Sequence, residues 1–371
     1  MVRAVRSGQS WRAVARQFGV SVGRVGFWLR RARGRRLDRV DWSDRSSGPP
    51  LPPNRTKRRV ERHVLRLRRW LRLHDPLGYF GAEAIRRRLL AEGGPVPSAR
   101  TIARILHRAG VTPQKRRRHP PPPAGWYLPA VAAGRAELDQ LDVVEGLQLR
   151  RGGSVEVLTG ISLWGKLALA EPAHTGWRVE SIRAVLAAHW QRWGAPEYLQ
   201  MDNDTRFAGS SRAVRRLGRL IRFCLAHGVV PVFAPPRETG FQAAVESFNA
   251  LWQAKVWQRF RHRDLRQLRS RNSAFLGAHH HHHVRDQVPR RTGRLSPAES
   301  VVFLRRTDAR GRIRVLGAEV IVAPHWPHRL VRAELNVRTQ TLRIHALRRR
   351  APTHQPVLKI HRFHLRDAVT F

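Results

Sequence analysis

Acidic residues and cysteine are scarce in this chain of 371 residues. There are 26 Asp and Glu against 71 Lys and Arg, so the formal net charge is +45 and a polyanion such as nucleic acid is the expected partner. A single cysteine, Cys224, excludes a disulfide scaffold and a cysteine-based zinc site. Because hydrophobic residues make up 42% of the chain, extensive disorder is excluded as well.

Long apolar runs and phosphate-binding loops are also missing. No run of about 18 apolar residues occurs, so we expect neither a membrane span nor a membrane partner. The first residues have no apolar segment of a secretory signal, and the composition suits a reducing cytosol. No glycine-rich loop precedes a Lys-Ser or Lys-Thr pair, so no nucleotide cofactor is expected.

Two short helices are predicted in residues 1–45. Ser10 and Ser21 are placed to cap them, and Gly19 breaks the chain between them. Helices joined by a tight turn are typical of helix-turn-helix DNA-binding units. The residues predicted to contact DNA from the second helix are Arg24, Arg30 and Arg31. The alternative is a small helical bundle with solvated arginines.

A second helical unit is predicted over residues 54–112. Apolar residues recur at helical spacing, and Ser98 is placed to cap its last helix. We interpret this unit as a second helix-turn-helix in which Arg100 and Arg104 contact DNA, with a solvated bundle again as the alternative.

A basic, proline-rich linker is predicted over residues 113–133, because its prolines prevent a helix. The residues predicted to lie along phosphates are Lys115, Arg116, Arg117 and Arg118. Trp126 and Tyr127 beside them either stack on DNA bases or pack in a core.

Residues 134–265 indicate a mixed α/β domain. Strands are predicted at residues 137–144, 155–158, 163–169, 197–201 and 229–233, and helices at 175–193 and 240–260. From residue 296 to 350, short alternating strands predict a separate small β-barrel-like domain. The run His279 to His283 is interpreted as a loop between these domains, either an adventitious metal binder or a feature without function.

Three of the scarce acidic residues occupy suggestive positions. Asp142 lies within the first predicted strand, Asp202 follows the fourth, and Glu246 lies on the last helix. Carboxylates on neighbouring strands repel each other unless a cation lies between them. Oxygen ligands favour Mg²⁺ or Mn²⁺, and two such ions can assist an in-line phosphoryl displacement.

Each carboxylate also has an ordinary interpretation. An aspartate after a strand is often a turn or cap residue, and Glu246 could pair with an arginine on its helix. Asp139, Glu145 and Asp204 lie near enough in sequence to be rival ligands. The residues alone leave these alternatives open.

The segments Gln140-Leu-Asp142, Asp202-Asn-Asp-Thr-Arg-Phe207 and Val245-Glu246-Ser-Phe-Asn249 resemble the core of DDE transposases and retroviral integrases. With the N-terminal helical units, the resemblance extends over about residues 1–350 to bacterial insertion-sequence transposases. It implies a ribonuclease H-like catalytic core with Asp142, Asp202 and Glu246 as the catalytic, metal-binding triad. It further implies Asn203 and Asn249 beside that triad and two Mg²⁺ or Mn²⁺ ions as cofactor.

The resemblance implies metal-dependent cleavage and strand transfer of double-stranded DNA by a homo-oligomer, in the cytoplasm of a bacterium at its nucleoid. Two departures stand out: Asp204 replaces the usual glycine after Asp-Asn, and Glu246 lies farther from Asp202 than the family's usual spacing. One alternative is a catalytically inactive, transposon-derived DNA-binding protein that recognises a specific sequence. Another is a nuclease of related fold that cuts RNA–DNA hybrids.

Overall fold

The structure is a computed structural model that describes most of the chain. The described residues are 1–44, 56–75, 78–93, 96–112, 125–174, 176–210, 213–284, 290–349 and 351–367. The predicted phosphate contacts Lys115, Arg116, Arg117 and Arg118 lie outside them. The chain divides into two compact units, Met1–His63 and Val64–Phe371.

The first unit contains three short helices. These are α1 (Val2–Arg6), α2 (Trp11–Gln17) and α3 (Val22–Ala32), followed by a 3-10 turn at Leu37–Arg39. The Ser10 hydroxyl accepts a hydrogen bond from the Ala13 N–H at 3.2 Å, and Ser21 caps α3 in the same way. Both predicted caps are therefore confirmed. The sequence did not predict α1.

A glycine inside α3 has a packing reason. A Cβ atom at Gly26 would lie 3.1 Å from the Trp11 ring, closer than ordinary contact. The small residue therefore lets α2 pack directly on α3, at the expense of about 1 kcal/mol of helix propensity.

Three further helices precede the sheet. They are α4 (Arg58–His74), α5 (Ala82–Ala91) and α6 (Ala99–Arg108), and the short α7 (Pro129–Ala132) follows. Helix α4 buries Val64, Leu67 and Leu71, which recur at the predicted helical spacing. The Ser98 hydroxyl caps α6 by accepting a hydrogen bond from the Thr101 N–H at 3.2 Å, as predicted.

A nine-stranded mixed sheet dominates the second unit. Its strands are β1 (Leu138–Gln148), β2 (Ser154–Ser162), β3 (Ala168–Ala173), β4 (Tyr198–Met201), β5 (Val230–Phe233), β6 (Ser300–Arg306), β9 (Leu330–Asn336), β10 (Thr341–Ala346) and β11 (Val357–Arg362), and a separate hairpin contains β7 (Arg312–Val315) and β8 (Ala318–Ile321). The order across the sheet is β11-β10-β9-β6-β5-β4-β1-β2-β3. Strands β1, β4, β5 and β6 run parallel, and the other pairings are antiparallel.

Helices cover both faces of the sheet. They are α8 (Val179–Trp193), α9 (Thr205–Ala208), α10 (Arg219–Ala226), α11 (Ala243–Trp252) and α12 (Leu265–His283). In β1, Leu141 belongs to the core formed with α8 and α10, whereas Val144 belongs to the core formed with α11 and α12. Because side chains alternate along a strand, Gln140 and Asp142 lie on the α11 face.

The prediction of a separate C-terminal barrel-like domain is wrong. Strands β6, β9, β10 and β11 continue the central sheet, and only β7 and β8 form a sheet of their own. Strand β6 connects these strands to the rest of the sheet, because it pairs in parallel with β5. The sequence did not predict β6. Its residues from Val301 to Leu304 are buried on both faces. They therefore form a continuous apolar run, without the alternation of apolar and polar residues that is typical of a half-buried strand.

The predicted loop at His279 to His283 is also wrong, since these residues form the last turns of α12. The ring of His279 is 4% exposed and packs against Phe248 and Phe275. Tertiary packing therefore favours a helix where the sequence looked polar and irregular. The predicted helix over residues 240–260 is shorter than expected, because α11 ends at Trp252 and passes into a π-helical turn at Gln253–Trp257.

No helix in the described part of the chain is long and apolar enough to cross a membrane.

Candidate active site

Asp142 lies in β1, and Asp202 comes directly after the neighbouring parallel strand β4. Gln140 of β1 is in register with Gln200 of β4, and each aspartate lies two residues beyond its glutamine. This register brings both aspartates to the same end of two adjacent strands, whose axes are about 4.8 Å apart. Asp142 and Asp202 are both partly buried.

The negative charges of the two other predicted carboxylates act on Asp142. Burial raises the pKa of Asp142, and the negative charges of Asp202 and Glu246 raise it further. The Val143 N–H and the Asn249 amide oppose this rise by hydrogen bonding to the carboxylate. Burial also raises the pKa of Asp202. Asp142 is therefore held where other negative charges act on it, and a bound cation would relieve this repulsion.

Helix α11, which carries Glu246, is anchored to the sheet by a buried glutamine. The Gln140 Oε1 atom accepts hydrogen bonds from the backbone N–H groups of Ala244 and Val245, each at 3.1 Å. These are first-turn N–H groups that the helix itself cannot satisfy. The strand that carries Asp142 thus sets the position of the helix that carries Glu246, whose own side chain is exposed.

A buried network extends this anchor to β4. The Gln140 amide donates to Gln200 Oε1 at 2.8 Å and to the Phe241 carbonyl at 2.9 Å. The Tyr127 hydroxyl lies within hydrogen-bond distance of the same two acceptors and shares its single proton between them. Tyr127 is 2% exposed and Trp126 is 3% exposed, so the suggested stacking of this pair on DNA bases is wrong and its core alternative is correct. These buried hydrogen bonds link β1, β4 and the segments around Tyr127 and Phe241.

Asn249 links α11 directly to Asp142. Its amide donates to Asp142 Oδ2 at 2.8 Å, while its Oδ1 atom is buried and has no partner in the described structure. A buried acceptor without a donor is uncommon and is consistent with a missing electropositive group.

The donor set at this point consists of carboxylates and an amide oxygen, which suits a hard cation such as Mg²⁺ or Mn²⁺. As they stand, no three His, Cys, Asp or Glu side chains among the described residues lie close enough together to hold a metal ion. The oxygen donors at this point nevertheless fit such a cation by their chemistry.

Asp204 does not require the glycine that it replaces. Its backbone has φ −56° and ψ 144°, which any residue adopts, and its side chain caps α9. Its charge is also neutralised, because Arg206 donates two side-chain hydrogen bonds to it at 2.8 and 2.9 Å. Arg206 reaches Glu145 on β1 at 2.6 Å and Glu156 on β2 at 3.3 Å as well. One arginine therefore bridges three of the acidic residues around the Asp202 turn.

Asn203 forms hydrogen bonds that hold the Asp202 turn in place. Its amide donates to the Ala234 carbonyl at 2.7 Å, and its Oδ1 accepts from Arg305 at 2.8 Å. Asn203 thus ties the segment after β4 to β5 and β6.

The predicted DNA-binding residues of the helical units differ in their surroundings. Arg24, Arg30, Arg100 and Arg104 are exposed. The Arg31 side chain is 9% exposed, stacks on Trp28 and pairs with Asp41 at 3.2 Å. A contact between Arg31 and DNA would therefore require that this ion pair opens.

The sequence analysis missed several residues that organise the site. Gln140, Gln200 and Tyr127 form the buried network, and Arg206 and Arg305 hold the Asp202 turn. A signal existed for the glutamines, since each precedes its aspartate by two residues and shares its strand face. No sequence signal indicated the arginines, because their partners lie on distant strands.

Comparison with known proteins returns structures but no sequence family. No family model matches the chain, and no curated protein matches it. It is similar to a chain of the simian T-cell lymphotropic virus intasome in complex with PP2A regulatory subunit B56 gamma, at 12% identity over 71% of this chain and 88% of that chain, with a TM-score of 0.35.

Two integrase core domains are similar over a smaller part. The HTLV-2 integrase catalytic core in complex with magnesium is 13% identical over 33% of this chain and 70% of that chain, with a TM-score of 0.25. The catalytic core of BIV integrase is 15% identical over 38% of this chain and 81% of that chain, with a TM-score of 0.27. The chain is thus similar to retroviral integrases at low identity and low structural scores.

Proposed function

We propose that this chain is a divalent-cation-dependent DNA transposase or integrase of the DDE class. The observation that carries the proposal is that Asp142 of β1 feels the charges of Asp202, which directly follows the adjacent parallel strand β4, and of Glu246 on α11. A net charge of +45 supports a polyanionic substrate.

The three carboxylates have distinct proposed roles. Asp142 and Asp202 hold the cation, and Glu246 completes the ligand set from α11. A bound divalent cation supplies positive charge that stabilises the developing oxyanions of phosphoryl displacement. Asn249 orients Asp142 through its 2.8 Å hydrogen bond, and Asn203 fixes the turn that presents Asp202.

The proposed reaction needs no covalent enzyme intermediate. Water attacks the phosphodiester at the end of the element, and the freed 3′-hydroxyl then attacks the target strand. The exposed arginines of α3 and α6, including Arg24, Arg30, Arg100 and Arg104, would bind the DNA ends. Since two ends must be joined, the proposed partners are double-stranded DNA and further copies of this chain, at the nucleoid of a bacterial cell.

The test is cleavage and joining of end-labelled duplex DNA taken from the regions that flank the coding sequence. We expect products with Mg²⁺ or Mn²⁺ and none with EDTA. Asp142→Asn, Asp202→Asn and Glu246→Gln should each abolish both products while DNA binding persists. Asp139→Asn is the matched control, because Asp139 lies on the same strand but pairs with Arg290 at 2.8 Å.

Different results would identify the alternatives. Sequence-specific binding to the flanking DNA without any cleavage by the wild type indicates an inactive DNA-binding protein. Cleavage that prefers RNA–DNA hybrids and ignores the DNA sequence indicates a nuclease of related fold. Unchanged cleavage by Asp142→Asn and Glu246→Gln would remove the proposed site altogether.

A further inference from the structure

A cleft of about 720 Å³ lies at the end of the sheet where Asp202 follows β4. Residues 236–239 after β5 form one wall, and residues 328–330 before β9 form the opposite wall together with the ends of β6 and β10. Strand β5 is the neighbour of β4 and runs parallel to it. The cleft therefore begins about one strand spacing, 4.8 Å, from the strand that presents Asp202.

Four adjacent strand ends each contribute one arginine to this cleft. Arg237 follows β5, Arg306 ends β6, Arg329 precedes β9 and Arg349 follows β10. These strands are consecutive in the sheet, in the order β10-β9-β6-β5. Because β9 is antiparallel to both of its neighbours, it begins at the end of the sheet where they finish. We call these four residues the arginine row, and three strand spacings give it a length of about 14 Å.

The arginine row carries an excess of positive charge. Arg306 pairs with Glu238, the single acidic residue of the described lining, and the charge of Arg349 acts on Glu238 as well. The arginines of the row other than Arg306 form no ion pair with a described residue. All four side chains are exposed. Clustered, accessible cations of this kind favour a ligand with several anionic groups.

Buried neighbours hold the row in position. Thr307 is 2% exposed; its N–H donates to the Arg329 carbonyl at 3.0 Å, and its hydroxyl accepts from the Arg329 N–H at 2.9 Å. Arg306 Nη1 donates to the His328 carbonyl at 2.6 Å. The guanidinium of Arg349 lies 5.5 Å from the centre of the buried Trp126 ring. The backbones that present the arginines are thus fixed before any ligand arrives.

Two of the turns that present the row have an uncommon backbone conformation. Arg237 has φ 60° and His328, next to Arg329, has φ 53°. Few residues other than glycine adopt this left-handed region. Strained residues of this kind cluster at ligand-binding sites, where the strain places a side chain. Both walls of the cleft therefore contain a residue held in this conformation.

The backbone of one DNA strand matches the row in length and chemistry. Each strand of B-form DNA carries one negative charge per about 3.4 Å of helix axis, so about 14 Å spans about four phosphates. A guanidinium can donate two parallel hydrogen bonds to the oxygens of a phosphate. The aromatic ring of the cleft, Trp126, is buried beneath Arg349 and offers no surface to a base. Recognition here would therefore be of phosphates, without sequence information.

We propose that the arginine row binds the sugar-phosphate backbone of one DNA strand beside the phosphodiester that is cleaved. The bound strand lies across the ends of β10, β9, β6 and β5 and reaches Asp202 after β4. The position of the scissile bond rests on the proposed function, whereas the binding of phosphates rests on the row alone. Sequence reasoning singled out none of these four arginines.

The first test measures how salt weakens the binding of an end-labelled DNA duplex to the full chain in EDTA, by fluorescence anisotropy. The variant Arg237→Gln/Arg329→Gln/Arg349→Gln leaves the Arg306–Glu238 pair intact. We expect the slope of log K against log salt to become less steep by about two to three, since each lost phosphate contact removes about 0.9. The same loss is expected with a duplex of unrelated sequence.

Two further variants control for charge and for folding. Lysine at the same three positions keeps the charges, so this variant should retain the wild-type slope within about one unit. The matched control, Arg343→Gln/Arg362→Gln/Arg366→Gln, removes three exposed arginines that lie outside the cleft lining and should change the slope by less than about one unit. An unchanged slope in the row variant, or an equal change in the matched control, would overturn the proposal.

The second test uses the wild-type chain and does not depend on the folding of a variant. The duplex carries a photoreactive aryl azide on one phosphorothioate at a time, and the cross-linked peptides are mapped. We expect cross-links to residues 236–239, 328–330 or 347–349 when the azide lies within about four phosphates of the cleaved bond. If no position of the azide labels these residues, the proposal is wrong.

These tests are separable from the test of catalysis. Asp142→Asn should retain the wild-type salt slope in EDTA, because the row does not include the carboxylates. A wild type that cleaves DNA, but whose salt slope is unaffected by substitution of the row, contradicts this inference alone. A chain whose row substitution lowers the slope, but whose Asp142→Asn variant still cleaves DNA, contradicts the proposed function alone.

Discussion

Two groups of potential metal ligands occur in the second unit, and they have opposite surroundings. The carboxylates Asp142 and Asp202 lie together with like charges, beside an Asn249 oxygen that has no partner in the described structure. The histidines at the end of α12 face partners instead: the His280 ring bonds the Ala168 backbone, and His279 packs between phenylalanine rings. A run of ligand-type residues is thus weaker evidence for a metal site than a partly buried carboxylate on which other negative charges act.

The histidine run has a structural role that its composition conceals. Tyr79 contacts the rings of His282 and His283, and Arg87 of α5 hydrogen bonds His282. Lys255 and Arg259 donate to the carbonyls of Gly78 and Asp75 nearby. The run therefore joins the second helical segment to the sheet domain, whereas the carboxylate pair remains available for a ligand.

The largest effect that sharpens this comparison is on catalysis. Asp142→Asn keeps the size and the Asn249 contact but removes a charge, so we expect activity to fall by about a thousandfold. His281→Asn, at an exposed position of the histidine run, should leave activity unchanged. Single-turnover cleavage rates measure both. Equal losses of activity in the two variants would contradict the assignment of catalysis to the carboxylates and not to the histidine run.

The next effect separates the two aspartates of β1 by stability. Asp139 and Arg290 pair with two hydrogen bonds of 2.8 Å, and each side chain is 11% exposed. Asp139→Asn leaves a buried charge without its partner and should lower the free energy of unfolding by about 3 kcal/mol. Asp142→Asn relieves repulsion and should not lower it. Denaturant titration measures both, and a larger loss in Asp142→Asn would contradict the electrostatics described for the site.

Gln140 should affect both stability and activity. Gln140→Leu removes the acceptor for two N–H groups of α11, so we expect a loss of about 2 kcal/mol in unfolding free energy and a lower rate constant for cleavage. Gln148→Leu is the control, because Gln148 lies exposed on the same strand. Activity that survives Gln140→Leu unchanged would show that the position of Glu246 does not depend on this anchor.

We expect the buried His279 to make the free energy of unfolding depend on pH. Burial lowers the pKa of His279 to about 3, and neighbouring histidines contribute to this shift. The unfolded chain therefore binds a proton near pH 6.5 that the folded chain excludes, so stability falls as the pH drops from about 6.5 to 4. His279→Phe should reduce this dependence by about 1 kcal/mol per pH unit. His281→Phe should not, and equal slopes in all three proteins would contradict the packing of His279.

The smallest predicted effect concerns the balance of charge at the Asp202 turn. Asp204 and Arg206 are partly exposed, so a double-mutant cycle of Asp204→Asn and Arg206→Met should give a coupling of about 0.5 kcal/mol in unfolding free energy. Arg206→Met alone should also weaken activity, since Glu145 and Glu156 lose the same partner. Zero coupling, measured at low salt, would show that Asp204 does not need Arg206.

Local patterns predicted much of this structure. Ser10, Ser21 and Ser98 begin helices because a cap acts within three residues of itself. Strands β4 and β5 lie within one residue of their predicted bounds, since apolar runs are short-range signals, whereas β1 continues four residues beyond its predicted end. The effect of the Asp202 charge on Asp142 depends on the pairing of β1 with β4 as well as on local patterns.

The remaining features depend on long-range pairing. Nothing in residues 296–350 indicates that β6 pairs with β5 rather than within a barrel, because either arrangement buries the same apolar run. The helix through His283 and the buried Tyr127 hydroxyl likewise owe their conformation to residues far away in sequence. The ion pairs of Arg206 with Asp204, Glu145 and Glu156 likewise could not be predicted, because Glu145 and Glu156 lie on strands that are distant in sequence.

The most direct test of the central claim is Mn²⁺ binding by the full chain, followed by electron paramagnetic resonance of the free ion. We predict that the wild type binds Mn²⁺ and that Mg²⁺ displaces it, whereas Asp142→Asn and Asp202→Asn each bind at least about tenfold more weakly. Asp139→Asn should retain wild-type affinity. Mn²⁺ binding that survives the loss of either Asp142 or Asp202 would contradict a shared cation site on these two strands.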